Sequence, residues 1–215
     1  MSKVRVHMMI SADGYVAGPN QAPDKPFGDI PEGFLRWVFE LRSFRQDHGM
    51  EGGKDGPSSD VLGETSANLG ATIIGRNMFG GGTGPWPEPA WDGWWGENPP
   101  YHTSVFVITH HPRAPLVMQG GTTFHFVTAG IESALDQARV AAGERDIRIG
   151  GGANVVNQYL AAGLIDEIEL HVVPFILGGG ARLFDNIGSP PPELEVIRVV
   201  PSPEATHIKY RVIRD

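Results

Sequence analysis

The segment DIRIGGGANVVNQYLAAGLID, residues 146–166, decides the fold. Ile147 and Ile149 alternate as the buried positions of a short strand. Apolar residues then recur at helical spacing from Val155 to Leu160, and Gly163 ends the helix. Between strand and helix, Gly150, Gly151 and Gly152 remove every side chain where the chain turns. The segment therefore predicts a strand, a bare turn and a helix whose first free N–H groups lie near Ala153 and Asn154.

Such a helix start favours a phosphate, because it carries partial positive charge and unpaired N–H groups. A run of glycines can also be no more than a tight turn, and both interpretations stay open at this point. The spacing is not the dinucleotide fingerprint G-x-G-x-x-G, since Asn154 and Val155 stand where that pattern requires a further glycine. A nucleotide site therefore needs support from the rest of the chain.

Further motifs supply that support. They are Ser11-Ala12-Asp13-Gly14 after the first strand, Ile74-Gly75-Arg76, and the order glycines, helix, strand, Pro174 and Leu177-Gly178-Gly179-Gly180. Together they resemble the dihydrofolate-reductase-like superfamily, and within it the reductase domain at the C-terminal end of the riboflavin-biosynthesis deaminase-reductase. The resemblance covers nearly the whole chain. It implies a three-layer α/β fold with a mixed, mostly parallel sheet, helices on both faces and a C-terminal antiparallel hairpin.

The resemblance also implies NADPH as cofactor and assigns residues to it. The nicotinamide would lie against Ala12 and Asp13, and Asp13 is the candidate catalytic residue, orienting substrate or relaying a proton. Arg76 or Arg113 would pair with a 2′-phosphate, because a guanidinium binds phosphate oxygens in a forked geometry. The full set of candidate cofactor-binding residues is Ala12, Gly75, Arg76, Thr109, His110, Gly150, Gly151, Gly152, Ala153, Asn154 and Val155.

Some positions depart from the riboflavin reductases. Those enzymes carry a substrate-contacting glutamate just before the glycine turn, where this chain has Gly150, and a basic residue where it has Tyr15. The triple glycine instead resembles that of dihydrofolate reductases, which implies a cis peptide bond, here predicted between Gly150 and Gly151. Asp13 and Gly14 can also be interpreted as an ordinary Asp-Gly turn. The helix after the first strand has no carboxylate on its inward face, although Glu32 at its start could reach in.

Composition limits the function classes. With 215 residues, 40% hydrophobic and 20% charged, the chain is predicted to be one soluble domain, residues 1–215. The net charge of −8 argues against a nucleic-acid or anionic-membrane surface. The absence of cysteine excludes disulfides and thiolate zinc sites, including that of a deaminase half. No signal peptide or membrane span is apparent, which predicts a cytoplasmic protein.

The pass along the chain predicts a central strand over residues 4–10, one helix from Asp29 to about Gln46, and a second from Ser59 to Gly70. Short strands are expected over 71–75, 104–109, 116–118, 123–127 and 167–174. Thr128 is predicted to cap a helix that runs through Ala142. The end of the chain, 194–200 and 206–213, predicts a hairpin.

Residues 83–101 contain four of the five tryptophans, Trp86, Trp91, Trp94 and Trp95. They could cover a pocket mouth or a subunit interface, or close the edge of the core. His110 and His111 point apart on a strand end, so no metal site is predicted. His171, on an interior strand, is interpreted as a hydrogen-bonded core histidine.

The sequence thus predicts an NADPH-dependent reductase of a small pyrimidine- or pteridine-like substrate, resembling 5-amino-6-(5-phosphoribosylamino)uracil reductase, and a homodimer. The alternative is a nucleotide-binding or sensor protein without turnover on the same fold.

Overall fold

A computed structural model describes residues 2–213. Its strands are β1 (Val4–Ser11), β2 (Tyr15–Ala17), β3 (Leu69–Gly75), β4 (Ser104–Ile108), β5 (Leu116–Val117), β6 (Thr123–Val127), β7 (Asp146–Gly151), β8 (Glu167–Val173), β9 (Ala181–Arg182), β10 (Glu193–Pro201) and β11 (Thr206–Ile213). Its helices are α1 (Gly33–Phe39), α2 (Arg42–Asp47), α3 (Pro57–Ser66), α4 (Arg76–Phe79), α5 (Gly130–Ala142) and α6 (Ala153–Ala161).

Nine strands form one mixed sheet in the order β10-β11-β8-β1-β7-β3-β4-β6-β5. The interior is parallel from β8 to β6, so the carboxyl ends of β1, β7, β3 and β4 meet at one edge. The C-terminal hairpin adds β11 antiparallel to β8, as predicted. A second, two-stranded sheet pairs β2 with β9. In an α/β sheet, the edge formed by the carboxyl ends is where ligands bind.

Helices cover both faces of the large sheet, because each strand alternates its side chains between them. Val4, Val6 and Ile149 pack with apolar residues of α5 and α6 on one face. On the opposite face, Phe34 and Trp37 of α1 belong to a second apolar cluster. The predicted mixed three-layer architecture is confirmed.

The predicted helix from Asp29 to Gln46 is wrong, because the chain breaks at Glu40 and Leu41 to give α1 and α2. Leu41 is extended, with φ −75° and ψ 143°. A passing segment uses the break: Lys54 N–H donates to Glu40 O at 2.7 Å, and Arg42 N–H donates to Lys54 O at 2.9 Å. Two main-chain bonds to a distant residue thus replace the continuation of the helix.

The second predicted helix also has different ends. It begins at Pro57, where proline suits a first helical turn, and it stops at Ser66. Asn68 then adopts a left-handed φ of 60°, so Leu69 and the following glycine open β3 instead of closing the helix. Likewise α5 begins after Ala129 without a side-chain cap, so Thr128 is not its N-cap. None of the helices formed by residues 2–213 has the length and apolar character needed to cross a bilayer.

Candidate active site

The glycine turn lies at the ligand-binding edge of the sheet. β7 continues through Gly151, which has φ +115°, and α6 begins at Ala153. The cis peptide bond joins Gly151 to Gly152, so its predicted position between Gly150 and Gly151 is wrong by one residue. The reason is the longer strand, because Gly150 and Gly151 are still part of β7 and the chain turns only after them.

The turn is open at one end and tight at the other. A Cβ built on Gly152 would meet no atom within 4 Å, so space adjoins the start of α6. A Cβ on Gly150 would lie 3.1 Å from Ile74 Cγ2. Gly75, at the end of β3, is closer still to its neighbours, since its Cβ would lie 2.8 Å from Val155 Cγ2. We call Gly150–Gly152 with the first turn of α6 the cradle.

Replacing Gly75 by alanine is expected to destabilise the fold by about 1–3 kcal/mol, because the added methyl overlaps the side chain of Val155. The cradle would shift with α6 and lose affinity for its ligand. Chemical denaturation of Gly75→Ala, Val155→Ala and the double variant forms a thermodynamic cycle. The double variant should recover part of the loss. Additive losses would show that the contact does not limit the packing here.

Asp13 follows β1 and ties two loops together. Its carboxylate accepts hydrogen bonds from Ser11 Oγ at 2.6 Å, Leu177 N–H at 3.1 Å and Gly178 N–H at 2.7 Å. These bonds, the one from Ser11 first, lower the pKa of Asp13 to about 2. The group is therefore an anion at neutral pH, and it holds the turn after β1 against the loop after β8. Ala12 beside it is exposed, and its N–H donates to Phe175 O at 2.8 Å.

The ends of β3 and β4 carry a basic site. Gly75 pairs with Ile108, so Arg76 and Thr109 leave neighbouring strands side by side. The Arg76 guanidinium lies 3.1 Å from the Trp86 ring centroid, and that of Arg113 lies 5.0 Å from the same ring. Stacking of this kind is favourable for arginine.

Arg76 retains a free donor. Its Nε and Nη2 donate to Gly82 O and Gly81 O, both at 3.1 Å, while its buried Nη1 has no partner. Burial, followed by the charge of Arg113, lowers the pKa of Arg76. The positive charges of Arg76 and Arg113 lie close together, so this place favours the binding of an anion.

The structure brings most of the predicted residues to this edge. Thr109 is buried and accepts a hydrogen bond from His111 N–H at 3.2 Å, whereas His110 is exposed. In α6, Val155 is buried, and Asn154 is exposed with its side chain accepting from Gln158. Gly75, Gly151 and Val155 are in direct reach of one another.

The tryptophans of residues 83–101 have different roles: some close the edge of the core, and one lines a cavity. Trp86 and Trp91 pack on an apolar cluster at the end of the sheet and close the core edge. Trp94 instead lines a cavity of about 230 Å³ between the loop after β2 and the segment that follows β3. The residues around this cavity are Gln21, Ala22, Pro23, Pro26, Asn77, Gly80, Gly82, Thr83 and Trp94. Met78, next to Asn77 in the chain, lies against the cradle, since its Sδ would lie 3.5 Å from a Cβ on Gly151.

Sequence reasoning missed a set of polar side chains on the α1–α3 face of the sheet. Arg5, His7 and Arg148 project there from β1 and β7. The sequence signal of these two strands lies in their apolar positions, which face the other side of the sheet. His171 and His207 form a hydrogen-bonded pair on the same face, with the two Nδ1 atoms 2.8 Å apart. The interpretation of His171 as a hydrogen-bonded core histidine is confirmed.

Comparison with solved structures finds the same fold. A riboflavin biosynthesis protein from Shewanella sp. PV-4 is 20% identical, with a TM-score of 0.64 over 99% of both chains. RibD from Acinetobacter baumannii is 18% identical, with a TM-score of 0.58, and this chain spans 59% of its length. Dihydrofolate reductase from Enterococcus faecalis, solved with NADP(H), is 14% identical, with a TM-score of 0.54 over 98% of this chain and 96% of that one.

No curated protein sequence matches the chain. The sequence profile of the RibD C-terminal domain matches residues 2–208, which is nearly the whole chain. The expected resemblance to riboflavin-pathway reductases and dihydrofolate-reductase-like proteins is therefore confirmed, and the chain belongs to the RibD C-terminal domain family.

Proposed function

We propose that this protein is an NADPH-dependent reductase of a small pyrimidine- or pteridine-like heterocycle, built as a single domain over residues 1–215. One observation carries the proposal. The cradle is open at Gly152, beside the start of α6, and the Arg76–Arg113 pair flanks Trp86 on the same edge of the sheet. A dinucleotide with a phosphorylated ribose needs a site for its diphosphate and a second site for the extra phosphate.

The residues present fit that cofactor. Main-chain amides at the start of α6 would hold the diphosphate, and the neighbouring charges of Arg76 and Arg113 would attract the 2′-phosphate. NADPH, when bound, supplies a hydride. The chain itself binds, orients and excludes water. Asp13 acts as a positioning residue in this proposal, because its low pKa makes it a poor proton donor and its three hydrogen bonds fix the loop over the site.

Replacing Arg76 by methionine is expected to weaken NADPH binding by about 10–100-fold, the loss of one charge-assisted contact, and to leave NADH binding within about 2-fold. Titration calorimetry with both cofactors measures the difference. Arg139→Met, which removes an exposed arginine of α5, is the matched control. Equal losses for NADPH and NADH would contradict the assignment of Arg76 to the extra phosphate. A wild-type protein that binds neither cofactor would refute the proposed function.

A nucleotide-binding protein without turnover is the second candidate. It is favoured by Gly150, which stands where the riboflavin reductases carry a glutamate, and by the inward face of α1, where Phe34 and Trp37 are buried. Oxidation of NADPH followed at 340 nm with a panel of pteridines and pyrimidines separates the two. Turnover with any member establishes the reductase, whereas binding of NADPH without turnover favours the sensor.

A homodimer and a cytoplasmic location complete the proposal. The edge strand β10 supports the dimer, because it exposes four large apolar side chains: Leu194, Val196, Ile197 and Val199. Exposed apolar residues along a sheet edge are typical of surfaces that pair with another chain.

A further inference from the structure

Polar atoms without hydrogen-bond partners lie together on one face of the sheet. The register places their strands side by side, with Arg5 beside Arg148 and His7 beside Glu169. The unpartnered buried atoms on these strands are Arg5 Nε, His7 Nε2, Arg148 Nε and Glu169 Oε2. A buried polar group without a partner is costly, so such a cluster indicates a place where water or a ligand completes the bonds.

Arg148 is the least satisfied member of the cluster. Within residues 2–213 its guanidinium forms no hydrogen bond and no ion pair, and its one contact of note is the Tyr101 ring at 5.7 Å. Arg5, in contrast, lies 3.0 Å from Asp146 and 3.8 Å from Glu167. A partly desolvated arginine without a protein partner has donors available for a ligand.

Arg148 is reachable from solvent. Its side chain is half-buried, so solvent reaches part of it, yet surrounding protein lowers its pKa by desolvation. His7 shows the same combination, with desolvation again the largest cause of a pKa well below the ordinary value. The charge of Asp47 acts on Arg148 in the opposite direction, and Asp47 Oδ2 accepts a hydrogen bond from Ser66 Oγ at 2.8 Å.

Arg148 lies close to the cradle. It stands two residues before Gly150 on β7, so both positions face the same side of the sheet. Thr72 of β3 pairs with Arg148, and its Cγ2 would lie 3.4 Å from a Cβ on Gly150. A ligand bound by Arg148 would therefore lie next to a dinucleotide held by the cradle.

We propose that Arg148 binds a planar, singly charged oxygen pair of the substrate, such as a carboxylate on the heterocycle. A guanidinium presents two parallel N–H groups that match two oxygens in one plane. A phosphate is a poorer fit, because the other cations of the face are already occupied: Arg5 pairs with Asp146, and Lys209 with Glu167 at 2.9 Å. This inference rests on the proposed function and names the class of its substrate.

The test uses two probes that differ in one group, 2,4-dioxopyrimidine-6-carboxylate and its 6-carboxamide, in the presence of NADPH. The wild-type protein should bind the carboxylate at least about 10-fold more tightly than the amide. Arg148→Met should lose that preference, and Arg148→Lys should keep only part of it, because lysine retains the charge without the fork. Arg145→Met, which removes an exposed arginine three residues away, should keep it.

Stability gives a readout that a structural arginine would not produce. Arg148→Met should raise the melting temperature by about 2–4 °C, because an apolar side chain replaces an uncompensated charge. A lower melting temperature, or an unchanged preference for the carboxylate in Arg148→Met, would overturn the inference. Equal wild-type affinity for the two probes would overturn it as well. None of these results affects NADPH binding to the wild-type protein, on which the proposed function depends.

Discussion

Gly152→Asp is expected to reduce NADPH affinity by about 100-fold or more while leaving the fold intact. The new carboxylate would occupy the open space beside the start of α6, where a Cβ meets no atom within 4 Å. Two opposed unit charges at about 4 Å interact by about 4 kcal/mol at an effective dielectric constant of 20, and like charges repel by the same amount. Calorimetric titration with NADPH measures the loss.

The same substitution should stabilise the apoprotein. Gly152 is the N-cap of α6 and has extended dihedral angles, φ −74° and ψ −167°, which suit an aspartate cap. A gain of roughly 0.3 kcal/mol in the free energy of unfolding is expected, because glycine is already a fair N-cap. Gly152→Asn is the matched control, because it adds a cap of the same size without charge. It should weaken NADPH binding far less. Unchanged NADPH affinity in Gly152→Asp would show that the cradle does not hold the diphosphate.

Acidification from pH 7 to pH 5 is expected to lower the free energy of unfolding steeply. Burial lowers the pKa of His171 to about 3, with the charge of His207 as the second cause, and burial also lowers the pKa of His207. The unfolded chain therefore takes up protons near pH 6.5 before the folded chain does. Stability is fully present above that pH, and each such histidine removes about 1.4 kcal/mol per pH unit until its folded pKa is reached.

Geometry agrees with this assignment. The two Nδ1 atoms lie 2.8 Å apart, so one must be protonated and the other bare, and a second proton would set two N–H groups against each other. His207 Nε2 lies 3.0 Å from Ser58 Oγ, and Ser58 in turn contacts Ser202 Oγ at 2.6 Å. Arg198 and Glu204 are the charged groups acting on His207, one lowering its pKa and the other raising it.

Urea denaturation at pH 7, 6 and 5 tests the prediction, with His171→Leu/His207→Leu as the comparison. The double variant should show a slope against pH that is smaller by at least about 1.4 kcal/mol per unit below pH 6.5, which is the contribution of His171. His7 contributes to the slope that remains, since its pKa is lowered too. Carboxylates add little to the pH dependence of stability above pH 5, so the change between pH 7 and pH 5 reports mainly on histidine. Equal slopes in the two proteins would contradict the assignment.

The parts of the fold that depend on local patterns were predictable. Alternation identified β1, β7, β8 and the C-terminal hairpin, and the glycine turn with its helix located the cradle. The break between α1 and α2 was not predictable, because it arises from hydrogen bonds to Lys54, which belongs to a segment without regular pattern.

In the candidate site, too, the residues in local patterns were predictable and those that depend on distant contacts were not. Gly75, Arg76 and Gly150–Gly152 were proposed from the sequence because turns at strand ends are visible there and because these motifs carry the family resemblance. Arg148 was overlooked because it stands between Ile147 and Ile149 as an ordinary polar position of a strand. Its unpaired state depends on which residues of β1, β3 and α2 surround it, and no local pattern carries that information.

The loop after β2 is fastened at its base, which limits how a substrate can reach the cavity beneath it. Gly18 N–H donates to Phe27 O at 2.9 Å and Asp29 N–H donates to Pro19 O at 2.7 Å, so residues 19–28 form a closed flap. Glycine is required at Gly18, where a Cβ would lie 2.0 Å from Asp29 O. The neck therefore holds both ends of the flap in place, and the two neck amides should exchange with deuterium more slowly than the tip.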